Sequence, residues 1–322
     1  MIINRGKSWC EVGRLKTGMR KLKTPNIRNV KHLCWLLHCR KKLLNELCAH
    51  PKRYYRQFPL LVGEKIRPIK QPINELDEVL RKVKLGVLDR IKLPSYLHGG
   101  VKEHSPLTNA TPHVSKSAVL NFDIANFFPS VKPRQVYEMF YKHCRFPADV
   151  SRILTRLVTF EGQLPQGSPT STVVANLVIL PLAYRLYHLA EKHKCDYTQF
   201  VDDGTISGLG YIEKLRPLID KIILQSGFRA SPKPSKRTTT YQSDEQVVTG
   251  VRVNRKIDVP SCKVKKIAEE LRELDMKIKS GIKPSDSEIA SAKGRIQFVA
   301  TLNIKKAHCF RTKLMRILRY AS

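Results

Sequence analysis

The sequence predicts a mixed α+β core followed by an all-helical, strongly basic C-terminal part, with the change near Pro260. Three observations predict this class. Short apolar runs carrying acids, Ala118 to Ile124 and Tyr197 to Ile206, have strand character. Segments of helical spacing alternate with them. Beyond Pro260, the residues Val264, Ile267, Leu271, Leu274 and Ile278 form one apolar stripe among lysines, stopped by Gly281.

From the N-terminus, Ile27 to Leu47 reads as a helix with an apolar and a basic face. Tyr54 to Val62 and Ile66 to Ile69 flank Gly63-Glu64 as a hairpin, which Pro72 closes. Leu76, Val79, Leu80, Val83 and Val87 mark a helix ending at Leu88. Gly99-Gly100 opens a loop that runs to Pro112, and Ala118 to Ile124 is a buried strand. Helices are expected over Val136 to His143 and Val150 to Leu157. Leu164 to Ser171 is a Gly/Pro-rich turn before an apolar helix over Val173 to Leu189. Tyr197 to Ile206 is a hairpin with Asp202-Asp203-Gly204 at its turn. Ile212 to Gln225 is helical and Gly227 ends it, while Val247 to Val253 and Lys256 to Val259 form a small hairpin around Asn254. Ser285 and Glu288 make a capping box for a late helix.

Charge narrows the function classes. The 322 residues carry a formal net charge of +32, with basic residues spread from Lys16 to Lys23, Arg40 to Lys42, Lys263 to Lys266 and Lys305 to Arg319. So extended a basic surface suits phosphate backbones better than a membrane surface. Apolar stretches such as Val173 to Ala183 are short for a membrane span and contain Asn176 and Pro181. Eight irregularly spaced cysteines and no apolar signal core suggest a reducing cytoplasm. His32, Cys34, His38 and Cys39 are better read as part of a packed helix with Leu33, Trp35, Leu36 and Leu37 than as a metal site.

The acids carry the chemistry. Asp123 sits inside the apolar Leu120-Asn121-Phe122-Asp123-Ile124, and Asp202-Asp203 follow Gln199-Phe200-Val201. A carboxylate in an apolar strand is costly unless it faces solvent, a cation or a metal. Two neighbouring strands would bring the three to one spot. Magnesium takes a few carboxylates plus phosphate oxygens, and two ions about 4 Å apart clamp the attacking and leaving oxygens of phosphoryl transfer.

The run from Asn121-Phe122-Asp123 to Phe127-Phe128-Pro129-Ser130 resembles polymerase motif A of reverse transcriptases. Leu164-Pro165-Gln166-Gly167-Ser168-Pro169-Thr170-Ser171, with Ala175-Asn176-Leu177, is similar to their motif B, and Phe200-Val201-Asp202-Asp203 to their motif C. Asn109-Ala110-Thr111-Pro112-His113 and Val248-Thr249-Gly250 resemble two elements of bacterial retron reverse transcriptases. Motif C more often reads Tyr-Ala-Asp-Asp, and motif B usually has Pro where Thr172 stands.

The resemblance implies a right-hand polymerase: a basic helical N-terminal region over 1–50, fingers and palm with an antiparallel sheet over 51–260, and a helical basic thumb over 261–322. It implies two Mg²⁺ held by Asp123, Asp202 and Asp203, with Lys236 near the leaving pyrophosphate and Lys233 as its rival. The dNTP site would comprise Lys65, Arg67, Phe128 as steric gate, Gln166 and Gly167. RNA would be met by Asn109, His113, Val248, Thr249, Gly250, Lys265, Lys266, Arg311 and Lys313. Expected partners are dNTPs, a cognate structured non-coding RNA, its DNA product primed from a guanosine 2′-OH, and an effector protein in anti-phage defence. With no RNase H domain following, template removal is expected to need another enzyme. A group II intron-type reverse transcriptase and a non-catalytic RNA-binding scaffold are the rival readings.

Overall fold

A computed structural model describes residues 22–62 and 65–319. Two short helices, α1 (Val30–Leu36) and α2 (Lys41–Ala49), open it. The single helix expected over Ile27 to Leu47 is broken at His38, whose φ of 46° is left-handed. The apolar pattern runs straight through that break, with Leu33, Leu37, Leu44 and Leu47 all buried. Trp35, expected to pack, is 68% exposed instead.

The hairpin β1 (Tyr55–Val62) and β2 (Lys65–Pro72) pairs Tyr55 with Pro72 through Val62 with Lys65. Helix α3 (Asn74–Val83) continues into a wider turn over Lys84–Leu88. The stretch read as a loop before Pro112 contains a five-residue helix, α4 (Pro106–Ala110), capped by Ser105. A tight helical turn, Thr111–His113, follows it.

The palm is built from β3 (Ala118–Asp123), β4 (Asp196–Phe200), β5 (Asp203–Gly208) and β6 (Thr239–Tyr241), in the antiparallel order β4-β5-β3-β6. Between β3 and β4 run α5 (Phe127–Ser130), α6 (Pro133–Glu138), α7 (Ala148–Val158) and α8 (Ser171–Lys192). The apolar runs that predicted β3 and β5 are buried nearly throughout, with Leu120, Phe122 and Ile206 in one core with α1 to α3, α7 and α8. Helix α8 is longer than its apolar run suggested. It is long and apolar enough to cross a membrane by length and composition, yet 67% of its apolar window is buried against the core. It packs on β4 and on α9 (Arg216–Gln225).

After the palm, β7 (Val247–Val248) and β8 (Val251–Arg252) form a hairpin whose turn is Thr249-Gly250, not Asn254. Both turn residues have positive φ, 47° and 75°, the geometry that matches strand twist in a two-residue turn. Asn254 sits instead in a second reversal, closed by an Arg252–Asp258 bridge.

Helices α10 (Ser261–Lys279), α11 (Asp286–Leu302) and α12 (Ile304–Arg319) enclose a core of their own, including Ile267, Leu271, Leu274, Ile296, Val299, Leu314 and Ile317. Asp258 joins this bundle to the small hairpin. It is 4% exposed and accepts from Arg252 Nη2 at 2.6 Å, Lys306 Nζ at 2.9 Å and Asn303 Nδ2 at 3.0 Å. Burial works against the carboxylate, but bonds from Lys306, the Val259 amide and Asn303 prevail and hold its pKa at about 2. Replacing Asp258 by Ala strands two cations and should cost about 3 kcal/mol in urea unfolding at neutral pH. The folded pKa lies below the ordinary 3.8, so this stability is present above that value and lost as pH falls towards about 2. An unchanged unfolding midpoint would contradict this.

Candidate active site

Strand β3 ends on Asp123, which lies directly opposite Asp203 at the start of β5. The backbone pins that end on both sides: Ile124 N–H donates to the Asp202 carbonyl at 3.1 Å, and Ser231 N–H to the Asp123 carbonyl at 2.7 Å. Asp202 occupies the β4–β5 turn. The three carboxylates therefore meet at one edge of the sheet, as the sequence predicted.

Lys236, on the single turn Pro234–Lys236, reaches into this group. Its Nζ lies 2.8 Å from Asp203 Oδ1 and 3.1 Å from Asp123 Oδ2. Lys233, the rival in sequence, is exposed. Burial lowers the Lys236 pKa, but the bonds and charges of Asp203 and Asp123 outweigh it and raise it.

Asp123 is 8% exposed, and its Oδ1 is buried without a hydrogen-bond partner. Burial raises its pKa; Lys236 opposes and Asp203 adds to the rise. Asp202 is raised to about 6, by burial first and then by the charges of Asp203 and Asp123. An orphaned buried carboxylate oxygen beside two further carboxylates fits a hard divalent cation. Among the described residues no three ligating side chains are drawn into a closed metal cluster, and the Lys236 ammonium stands among the acids.

Around this edge, the predicted nucleotide-site residues separate. Phe127 is 3% exposed and packs at 5.7 Å on Phe228, so it is the core aromatic; Phe128 is half-buried. Asn126, with φ 47°, turns the chain between β3 and α5 to produce this split. Gln166 is half-buried, and its carbonyl accepts from Lys70 N–H of β2 at 2.7 Å. Gly167 has φ 111°, and a methyl group there would stand 2.8 Å from Ile69 Cγ2. Its close approach is therefore to the β1–β2 hairpin. Lys70 adds a 2.5 Å ion pair to Glu161. Arg67 is exposed on β2; the side chain of Lys65 lies outside the described residues.

The expected RNA contacts need correction. Asn109, His113 and Val248 are wholly buried, so none of the three side chains faces RNA. His113 lies under the palm, with Nδ1 2.6 Å from Ser207 Oγ on β5 and Nε2 2.8 Å from Thr198 Oγ1 on β4. Thr198 gives its hydroxyl proton to the Asn109 carbonyl at 3.3 Å, so it accepts from Nε2–H, and Nδ1 accepts from Ser207. Burial lowers this imidazole to about 3, leaving it neutral. Asn109 Nδ2 donates to Thr249 Oγ1 at 3.3 Å, and Thr249 Oγ1 to the Pro106 carbonyl at 3.2 Å. The two short elements thus lock to each other, which accounts for a β-branched residue holding φ 47° in the turn. Gly250 is favoured by its φ of 75°, which strains any L side chain; the Lys263 Nζ nearby is the mobile end of a long side chain. Lys265, Lys266 and Arg311 are exposed on the C-terminal helices and Lys313 is half-buried.

Sequence reasoning missed the residues that hold the catalytic turn. Val201 has φ 58°, an unfavourable conformation for a β-branched residue. The buried Gln199 holds it, donating from Nε2 to the Val201 carbonyl at 3.0 Å, while Tyr197 O–H donates to Gln199 Oε1 at 2.8 Å. Among the polar residues of Asp196–Phe200, nothing in the sequence singled out Gln199.

The palm sheet with its acidic turns, the hairpin before it and the helical bundle after it define a reverse-transcriptase fold. Within that class the chain is similar to the retron reverse transcriptases. It is 31% identical over 225 residues to the retron Se72 reverse transcriptase of Salmonella heidelberg, covering 68% of this chain and 59% of that protein. It is 29% identical over 244 residues to the retron Ec86 reverse transcriptase of Escherichia coli, covering 75% of this chain and 73% of that protein. The chain thus spans less than two thirds of the first relative's length. No protein-family model matches it. A solved telomerase from Candida albicans superposes with a TM-score of 0.46 at 12% identity, over 87% of this chain and 64% of that one.

The raised pKa of Asp202 has a definite sign. With the folded value near 6, above the ordinary 3.8, its stabilising contribution is present below 3.8 and lost as pH rises through about 6. Metal-free Asp202→Asn should therefore melt higher than wild type at about pH 7.5, the difference closing by about pH 4. Manganese affinity of the wild type, by calorimetry, should weaken as pH falls through about 6, because proton and metal compete for the same carboxylate. A wild type that melts higher at neutral pH, or binds Mn²⁺ independently of pH, would refute the assignment.

Proposed function

We propose that this chain is an RNA-directed DNA polymerase that binds a cognate structured RNA and copies part of it into DNA. The observation that carries the reading is the convergence of Asp123, Asp202 and Asp203 at one sheet edge, with a buried carboxylate oxygen unpartnered. The three carboxylates would hold two Mg²⁺, which supply charge stabilisation to the attacking and leaving oxygens. Lys236, now bridging Asp123 and Asp203, has the reach to donate a proton to a departing pyrophosphate. Phe128, the half-exposed member of its pair, would clash with a ribose 2′-OH and select dNTPs. Arg67 and Lys65 on β2, with Gln166 behind them, would seat the triphosphate. The exposed Lys265, Lys266 and Arg311 would grip duplex backbone.

The finer reading follows the family. DNA synthesis would start from a guanosine 2′-OH of the bound RNA and leave a branched RNA–DNA product. That product and the enzyme would act with an effector protein in anti-phage defence. Kinship to retron enzymes along most of the chain supports this. It favours this reading over a group II intron-type enzyme, and the three intact acids favour it over a non-catalytic scaffold.

Purified protein, treated with RNase and DNase separately, should release one short DNA species joined to RNA through a 2′–5′ link. Heterogeneous RNA alone would defeat the retron reading, and absence of Mg²⁺-dependent dNTP incorporation would defeat the polymerase reading. Phe128→Ala should relax selection against rNTPs by about tenfold or more in relative kcat/KM; unchanged selectivity would place the gate elsewhere.

A further inference from the structure

The stretch Tyr96 to Gly100 runs beside the palm as an extra edge. His98 N–H donates to the Gln199 carbonyl at 2.9 Å, and Gln199 N–H to the Tyr96 carbonyl at 2.8 Å. Leu97 pairs with Gln199 in parallel. The chain then passes between two of the elements that build the site.

At Gly99 it lies under the catalytic turn. A methyl group on Gly99 would stand 2.3 Å from Val201 Cγ2 and 2.6 Å from the Val201 backbone nitrogen. At Gly100, with φ 68°, it meets the start of α8, where a methyl group would stand 2.4 Å from Thr172 Cγ2. Asn176, buried one turn further along α8, donates from Nδ2 to the Gly99 carbonyl at 2.6 Å. With Phe200, Val201 and Thr172 are the positions where motifs C and B leave their usual wording. Val201 and Thr172 each meet one of the two adjacent glycines.

We propose that Gly99-Gly100 is a positioning element that sets the Asp202 turn against the first turn of α8, and that Val201 and Thr172 are accommodated by the missing side chains of these two glycines. The proposal rests on the polymerase reading for its kinetic consequence but not for its effect on metal binding. The two glycines differ in what limits them. Gly100 is limited both by its φ of 68°, which strains any L side chain, and by the Thr172 side chain, so shrinking Thr172 relieves the second limit alone. Gly99 is limited by backbone, so shrinking Val201 does not.

The test measures Mn²⁺ affinity by calorimetry, and kcat and dNTP KM on a primed RNA template, with thermal melts as a check of folding. Gly100→Ala should weaken Mn²⁺ binding and lower kcat by about tenfold, with dNTP KM moving by less than about threefold. Adding Thr172→Ser should recover about threefold of both, the remaining loss being the cost of an L side chain at φ 68°. Gly99→Ala should lose both, and Val201→Ala should not restore them. Asn176→Ala releases the Gly99 carbonyl without a clash, so it should give a smaller loss of kcat and Mn²⁺ affinity at constant KM; it decides the matter should Gly100→Ala fail to fold.

The proposal is overturned if folded Gly100→Ala matches wild type, if Thr172→Ser brings it no gain, if Val201→Ala rescues Gly99→Ala, or if Asn176→Ala raises KM alone. Should the wild type bind Mn²⁺ but extend no primer, the polymerase reading falls. The same pattern in Mn²⁺ affinity would then still support the positioning element, and its absence would overturn it.

Discussion

Three carboxylates crowded at one edge of a sheet cannot all be ionised and unpaired, and the structure around them is arranged by that constraint. Like charges raise Asp202, and burial raises both Asp202 and Asp123. A single ammonium, Lys236, offsets part of this from a turn that follows α9 in the chain. The fold brings the acids together through backbone register, Asp123 opposite Asp203, before any side chain contributes. The register thus gathers more carboxylate charge at this edge than one ammonium offsets.

A second layer stabilises that register from beneath. His113 ties β4 to β5, and Asn109 ties the same segment to the Thr249-Gly250 turn. From there Asp258 passes the connection to Asn303 and Lys306 at the junction with the last helix. Catalytic edge, palm underside and C-terminal bundle are thus joined by a sequence of buried polar groups. Such groups are intolerant of loss because each leaves a partner unsatisfied.

Much of this was legible in the sequence. Short apolar runs carrying acids showed the palm strands, and the Ser285–Glu288 capping box marked the start of α11. The acids declared themselves by their cost in apolar strands. What was not legible shares one cause: contacts remote in the chain. A capped five-residue helix is too short to show periodicity, so Pro106–Ala110 read as loop. The turn at Thr249-Gly250 was displaced to Asn254 because Thr is a poor left-handed residue unless something such as Asn109 holds it. Asn109 and His113 read as RNA contacts because they stand in an element that resembles one of the retron reverse transcriptases; their burial depends on Thr249, Thr198 and Ser207, far along the chain. The break at His38 left no mark, since the apolar spacing of the two helices continues across it.

Helix α8 has a consequence for how the protein is made. Its apolar surface is covered in part by β4 and α9, both of which are synthesised after it. While the ribosome is still producing those elements, the nascent chain carries a segment with the length and hydropathy of a membrane span. A chain stalled or cut between Lys192 and Gln225 would keep that segment open to aggregation or misrouting. Strand β4 and helix α9 complete its cover only once they have been added, so elongation across the Asp202-Asp203 turn is also the interval that closes this segment off.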